Sequence, residues 1–494
     1  MVGSRDAKEW YNKGDKQANF RKLKKFAKIP ALSACLNSIV NLGFFVTEQD
    51  LPDTDEQTEG REVTFEDIQL SELGLDLAKR YNSAVDTLSA TRQLASKDRL
   101  CSISGLSEFG RHGGLCELTN GTSNDRDLLR DIFFAEPEFL AFVEKSGHKK
   151  ESHVVRRKSL LLILETCQQL SAGDWILNEL GFAGAVYFGE IANDKDRLNV
   201  RLPAKLTDIA TRWRMFYFHH YMAVALEGLF SWLVSQLRNC GLAGATLESL
   251  VTRLDEAAVR KNLSEALRID VKGSFGTSSP SSLFTALGLK GDLSADVSMA
   301  LDDAVRSMNP FAEDTLENLL RSKEHLYSST GLALPLILLA TTLARYTHWE
   351  TTKYGNWLAG VADPQYGHDP YLDLVPPILM TGLSRRFGKW WNCTWKELAG
   401  FVLSRYVVQQ HQSMSYEKSW AGDRCLLQVD GHKVFSTGGF DKIGMGNPRL
   451  SSATQILIDI GLLDDDEKGV IRLTTEGKHF LKRELAKEIV NEVS

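Results

Sequence analysis

Pro448-Arg-Leu-Ser-Ser-Ala-Thr-Gln-Ile-Leu-Ile-Asp-Ile-Gly-Leu-Leu463 has a counterpart near the other end of the chain, Pro30-Ala-Leu-Ser-Ala-Cys-Leu-Asn-Ser-Ile-Val-Asn-Leu-Gly-Phe-Phe45. The two align without a gap, pairing Leu450 with Leu32, Ser451 with Ser33, Leu457 with Ile39 and Gly461 with Gly43. After an acidic interval each copy resumes alike, as Leu473-Thr-Thr-Glu-Gly477 and Leu70-Ser-Glu-Leu-Gly74. A proline is tolerated at the first helical position because its missing N–H has no intrahelical partner there. Apolar residues then recur at helical spacing. Gly43 and Gly461 stand where a helix closes in the left-handed conformation. Phe44-Phe45 and Leu462-Leu463 then start a strand, and Val470–Leu473 forms the returning one. Ser71 and Thr474 are N-cap residues, and Glu476 lies in a first turn, where a carboxylate is favoured.

Helix, glycine stop, two-stranded wing and capped helix together resemble the winged-helix module, a helix-turn-helix unit with a hairpin wing. The resemblance covers about residues 25–95 and 440–494. It implies that the helix before each wing is the one presented to a duplex major groove. In the first copy that helix would offer Ser33, Asn37 and Ser38. In the second it would offer Arg449, Ser452 and Gln455 to base edges or phosphates.

Between the copies the periodicity predicts helices over Asp125–Glu144, His153–Leu170 and Leu206–Asn239. The last follows Pro203 and precedes Gly241. It is apolar on more than one face, which marks a helix that is buried or lies at a partner surface. Leu332–Ala344 is too short to cross a bilayer and reads as a buried core helix. Gly273–Ser282 is the best interior linker. The expected fold is therefore mainly α, with a winged-helix unit at each end of a large helical middle region. The expected domains are 1–95, 96–272, 283–435 and 436–494.

The 494 residues carry 58 basic and 64 acidic side chains, a formal charge of −6, which excludes a globally basic nucleic-acid coat but not a local patch. Residues 1–30 hold nine basic and three acidic residues. Lys22, Lys24, Lys25 and Lys28 directly precede the first copy and form the candidate phosphate contact. The wings point the other way. Glu48, Asp50, Asp53, Asp55, Glu56, Glu59 and Glu62 fill the first, and Asp464-Asp-Asp-Glu467 the second. Acidic wings repel phosphate and suit a protein partner, so the first copy is assigned to double-stranded DNA and the second to protein or intramolecular contact.

Seven scattered cysteines with no CxxC pair argue against a disulfide framework or zinc site and suit a cytoplasmic protein. The polar, basic N-terminus is unlike a signal peptide. Six of the ten tryptophans fall within 345–425, a density that reads first as core. His219-His220 point about 100° apart on a helix, so a core position or interhelical hydrogen bonding is favoured over a shared metal. Asp363, His368, Asp369 and Asp373 crowd one turn-rich loop, where a divalent cation for hydrolysis is the alternative to plain turn chemistry. His411, Lys418, Arg424 and His432 are a candidate anion group. Gly382–Lys389 misses the P-loop spacing by one residue, and Trp390 replaces its hydroxyl. The expectation is a binding subunit without cofactor or metal, docking on DNA and on proteins without a membrane. Its texture resembles helical components of bacterial antiviral defence or restriction clusters. The alternatives are a metal-dependent nuclease or hydrolase centred in 345–432, and a pure protein adaptor.

Overall fold

The computed structural model describes residues 17–19, 42, 44–47, 68–95, 100–112, 125–145, 150–173, 175–192, 197–254, 257, 312–321, 330–351, 393–417, 425–439, 449–466 and 470–487. Of these, 74% are helical, so the expected mainly α class holds. No helix among the described residues is long and apolar enough to cross a membrane.

In chain order the first elements are β1 (Gln17–Asn19), β2 (Phe45–Thr47), β3 (Ile68–Leu70), α1 (Glu72–Val85), α2 (Ser89–Ala95), β4 (Leu100–Ser102) and α3 (Ile103–His112). Then come α4 (Asp125–Phe133), α5 (Pro137–Lys145), α6 (Lys150–Ala172), α7 (Glu179–Ala183) with a π turn at Gly184–Phe188, β5 (Glu190–Ala192), β6 (Arg197–Asn199), α8 (Thr207–Cys240) and α9 (Leu247–Val251). The rest are α10 (Ala312–Arg321), α11 (Thr330–Thr351), α12 (Trp395–Val402) with a π turn at Leu403–Val408, α13 (Gln409–Glu417), β7 (Leu427–Asp430), β8 (Lys433–Ser436), α14 (Leu450–Asp459), β9 (Leu463–Asp465), β10 (Ile471–Leu473) and α15 (Thr475–Ala486). Among the described residues the strands pair as five short antiparallel ladders: β1 with β4, β2 with β3, β5 with β6, β7 with β8 and β9 with β10.

The chain divides into two compact units. The first combines Met1–Glu179, Leu202–Ile209 and Arg449–Ser494, so the described parts of both repeat copies belong to it. The second comprises Leu180–Arg201 and Ala210–Pro448.

In the first unit α6 is the most buried helix. Leu160 to Leu164, Cys167 and Leu170 are all in the core, and α6 packs against β10, α14, α15, α4 and α5. The helix expected over Asp125–Glu144 is two helices. Ala135 breaks it at φ 49°, where its N–H and that of Glu136 donate back to Ile132 and Asp131. That is the glycine-type helix stop built on an alanine, at a cost of about 1 kcal/mol for the left-handed backbone. Pro137 then opens α5.

In the second unit the expected long helix is present as α8, and the apolar run Leu332–Ala344 lies within α11, buried from Leu332 to Leu343. Gly228 of α8 faces Pro335 of α11; an added Cβ would stand 3.2 Å from the proline ring, so the glycine permits the close crossing. β8 is also bridged to Ala245, whose N–H and C=O both pair with Val434.

Candidate nucleic-acid interface

The second copy starts at α14, which begins at Leu450, two residues after Pro448, with Arg449 before it at φ 56°. Its stop is complete. Gly461 has φ 75°, its N–H donates to Ile458, and that of Leu462 donates to Leu457, the Schellman pattern. The chain then turns into β9, whose Leu463 pairs with Leu473 of β10. Thr474 caps α15 through the Gly477 N–H at 2.9 Å, and its own N–H donates to Leu462 at 3.1 Å.

The first copy has the same geometry wherever it is described. Phe45 pairs with Leu70. Ser71 caps α1 through the Gly74 N–H at 2.9 Å, and the Ser71 N–H donates to Phe44 at 3.1 Å. Both glycines are required for one reason. A Cβ at Gly74 would lie 2.1 Å from the Phe44 carbonyl oxygen, and one at Gly477 would lie 2.0 Å from that of Leu462. The hairpin carbonyl presses on the first turn of the following helix in each copy, and only hydrogen fits between them.

Helix α4 holds the two copies at equivalent points. Leu42, Phe44 and Leu73 of the first pack against Ile132, Ala135, Phe139 and Val143, with Leu128 on the same helical face. The opposite face carries Arg126 and Arg130. Arg130 donates through Nε to Ile460 O at 2.8 Å and through Nη2 to the same oxygen at 2.5 Å. Its Nη1 meets Glu476 Oε1 at 2.5 Å, and Arg126 stands 3.8 Å from Oε2. By the repeat alignment Ile460 matches Leu42, and Glu476 matches Leu73. Phe134, just beyond α4, meets Phe480 edge-on at 4.5 Å. The Arg130 hydrogen bond holds the Glu476 carboxyl below its usual range.

Of the residues expected to meet DNA, Arg449, Ser452 and Gln455 are exposed on α14, together with Ser451. The opposite face of α14, with Leu450, Thr454 and Leu457, is buried. Gln455 donates to Asp459 at 2.8 Å; burial raises the Asp459 carboxyl and this hydrogen bond opposes the rise. Asp464, Asp465 and Asp466 of the wing are exposed. Lys22, Lys24, Lys25, Lys28, Ser33 and Asn37 lie outside the described residues. So do Asp363, His368, Asp369, Asp373, Lys418, Arg424, the linker 273–282 and the P-loop-like stretch. Within the candidate anion group, His432 is exposed in a hairpin turn. His411 Nε2 is the acceptor for the Leu427 N–H at 3.4 Å, and burial lowers its pKa. Among the described residues no cluster of His, Cys, Asp or Glu has the arrangement of a metal site.

A second polar centre, in the second unit, has a weaker sequence signal. His220 on α8 holds both oxygens of Glu317 on α10 at 3.0 Å, the interhelical bond anticipated for that pair. Arg321 also donates to Glu317 at 2.9 Å. Burial pushes Glu317 up, but His220 and Arg321 outweigh it and hold it low. Its neighbour Asp314 is pushed up to about 6 by burial and by the Glu317 charge. One turn earlier, Glu313 is fully buried and takes a bidentate pair from Arg345 of α11, at 2.5 and 2.9 Å, and a hydrogen bond from Tyr187 Oη at 3.2 Å. The Arg345 guanidinium lies 4.9 Å from the Phe188 ring centre. A buried ion pair joining two helices and a π turn supplies orientation more than net stability. Arg345 ends an apolar run in sequence, and that position alone does not reveal a buried cation.

No protein-family model, no curated protein and no solved structure matches the chain.

Proposed function

We infer that the chain is a docking protein without a catalytic step of its own, in which both repeat copies act as winged-helix units. In this reading duplex DNA is held by the lysine-rich leader at Lys22, Lys24, Lys25 and Lys28, by Ser33 and Asn37, and by the polar face of α14. The observation that carries it is the make-up of that face. Arg449, Ser451, Ser452 and Gln455 stand together in solvent while the apolar side of the same helix is buried beside the hairpin. Such side chains form hydrogen bonds with base edges and phosphates.

The exposed Asp464, Asp465 and Asp466 favour a second partner for the wing, a basic protein surface. They also support the reading of the chain as a pure protein adaptor. A mobility-shift titration of duplex DNA at two salt concentrations separates the readings. The triple variant Arg449→Ala, Ser452→Ala, Gln455→Ala should weaken binding at least tenfold, since each lost base contact costs about 1–3 kcal/mol. Replacing the three wing aspartates by lysine should tighten non-specific binding and steepen its salt dependence. Unchanged affinity in both variants removes the second copy from any DNA interface.

A further inference from the structure

Helix α15 packs one side against α6 and leaves the other in solvent. Phe480, Leu481 and Glu484 are buried, whereas Lys478, His479, Lys482 and Arg483 are exposed. At about 3.6 residues per turn these four positions share one face. The carboxylates of the helix are taken by other cations, Glu476 by Arg130, and Glu484 by Arg157, Arg483 and Lys487. Among the described residues none pairs with Lys478 or Lys482. Arg483 is held in place, with its guanidinium 4.9 Å from the Phe480 ring centre and its Nε 3.2 Å from Glu484, while its side chain stays 61% exposed.

The fold does not ask for these charges. Lys478 and Lys482 stand four positions apart, where like charges repel. Lys478 also closes the first turn, where the helix dipole favours a carboxylate. The first copy is the internal comparison. By the repeat alignment its equivalent positions are Leu75, Asp76, Lys79 and Arg80. Arg80 pairs with Asp76 at 3.1 Å, so Lys79 alone adds charge to that face. The same hairpin-and-helix unit is therefore built without a basic face.

We propose that the Lys478–Arg483 face of α15 binds the phosphate backbone of duplex DNA without reading its sequence. The proposal rests on the reading that the second copy meets a duplex. It divides the work, giving base edges to the polar face of α14 and the orienting phosphate contacts to α15. The make-up of the face selects the partner. The exposed residues of α15 include no large apolar side chain. Protein interfaces are depleted in lysine and centre on aromatic and apolar anchors, whereas nucleic-acid interfaces are polar and strongly basic. The acidic wing does not cancel the charge. Leu463 faces Leu473 at the α15 end of the hairpin, Asp464 lies opposite Arg472, and Asp465 faces Ile471 farther out.

The probe is a fluorescent duplex of about 25 base pairs, long enough for several phosphate contacts, titrated with the full chain over a salt series. Lys478→Gln/Lys482→Gln should lower the slope of log affinity against log salt by about 2, and weaken binding at least tenfold at about 0.1 M salt, alike for two unrelated sequences. Lys478→Arg/Lys482→Arg should keep wild-type binding, which separates lost charge from lost fold. Lys79→Gln, the equivalent change in the first copy, should leave the slope unchanged. A wild-type slope in the Gln double variant overturns the proposal, and the reading of α14 survives if Arg449→Ala/Ser452→Ala/Gln455→Ala still weakens binding. A wild-type chain that binds no duplex overturns both. Lysine-dependent binding of polyglutamate in place of the duplex also overturns the proposal, because the face then belongs to an acidic protein.

Discussion

The first and second repeat copies are the most instructive comparison in the molecule. Their hairpins share a register next to the helix, their caps have equal lengths, and a Cβ added at either glycine would meet the equivalent hairpin carbonyl, at 2.1 Å in the first copy and 2.0 Å in the second. Their surroundings differ. At the position after the cap glutamate or its counterpart, the first copy has Leu73 against an apolar cluster, and the second has Glu476 against Arg130. The same helix, α4, serves both by presenting leucine and isoleucine on one side and arginine on the other. Local sequence sets the local hydrogen bonds, while a few substituted positions decide what packs around them.

The largest test of this equivalence is at the glycines. Gly477→Ala and Gly74→Ala each drive a Cβ into a carbonyl that is part of the hairpin hydrogen bonding, and each should cost about 3 kcal/mol in denaturant unfolding. A loss under 1 kcal/mol at either site means that the tight hairpin-to-helix approach is absent from that copy.

Arg130→Met comes next. It removes the guanidinium from the Ile460 carbonyl and from Glu476 while keeping the aliphatic stem, at about 2 kcal/mol for charged hydrogen bonds. Hydrogen exchange should quicken over residues 449–486 and stay unchanged over 68–85. Equal loosening of both would show that α4 couples the copies and does not hold each separately.

The third test uses pH. Burial raises the Glu484 carboxyl, but Lys487, Arg157 and Arg483 outweigh burial and hold it below the usual 4.5. Stability from such a group is complete above the unfolded value and is lost as pH falls through the lower folded value. Exchange over residues 449–486 should therefore accelerate on acidification below about pH 4.5, with Glu484→Gln removing the dependence. The first copy has Tyr81 there and should lack this response. The second unit should behave oppositely at Asp314, whose folded value near 6 lies above its ordinary 3.8. Its stability contribution is complete below 3.8 and declines as pH rises through about 6. Asp314→Asn should flatten that slope.

The smallest expected effect is at the caps. Ser71→Ala should cost about 1 kcal/mol. Thr474→Ala should cost somewhat more, because the Thr474 hydroxyl also donates to the Gly461 carbonyl at 2.9 Å. Equal losses in thermal melts would show that this extra bond adds nothing.

The second copy from Arg449 onward, and the hairpin and cap of the first, were legible in the sequence, while the Pro30–Gly43 stretch lies outside the described residues. The repeat's proline-to-glycine spacing and its Ser-Glu-Leu-Gly and Thr-Thr-Glu-Gly caps are local patterns with local causes, and the described geometry follows them. The long helix bounded by Pro203 and Gly241, the apolar run of α11 and the interhelical role of His220 were readable for the same reason. The exposed Arg449, Ser452 and Gln455 followed from helical periodicity alone. The break at Ala135 was hidden, because an alanine carries no sign of a left-handed backbone; only the packing of α4 and α5 holds it there. Nor does sequence bring Arg130 to Ile460 or Arg345 to Glu313, pairs separated by 330 and 32 positions. Spacing along the chain determines which residues share a helix face or close a turn, because those interactions span one turn. That α6 covers the hairpin and helix of the second copy is decided by long-range packing, where the partner is chosen by shape and burial and not by distance along the chain.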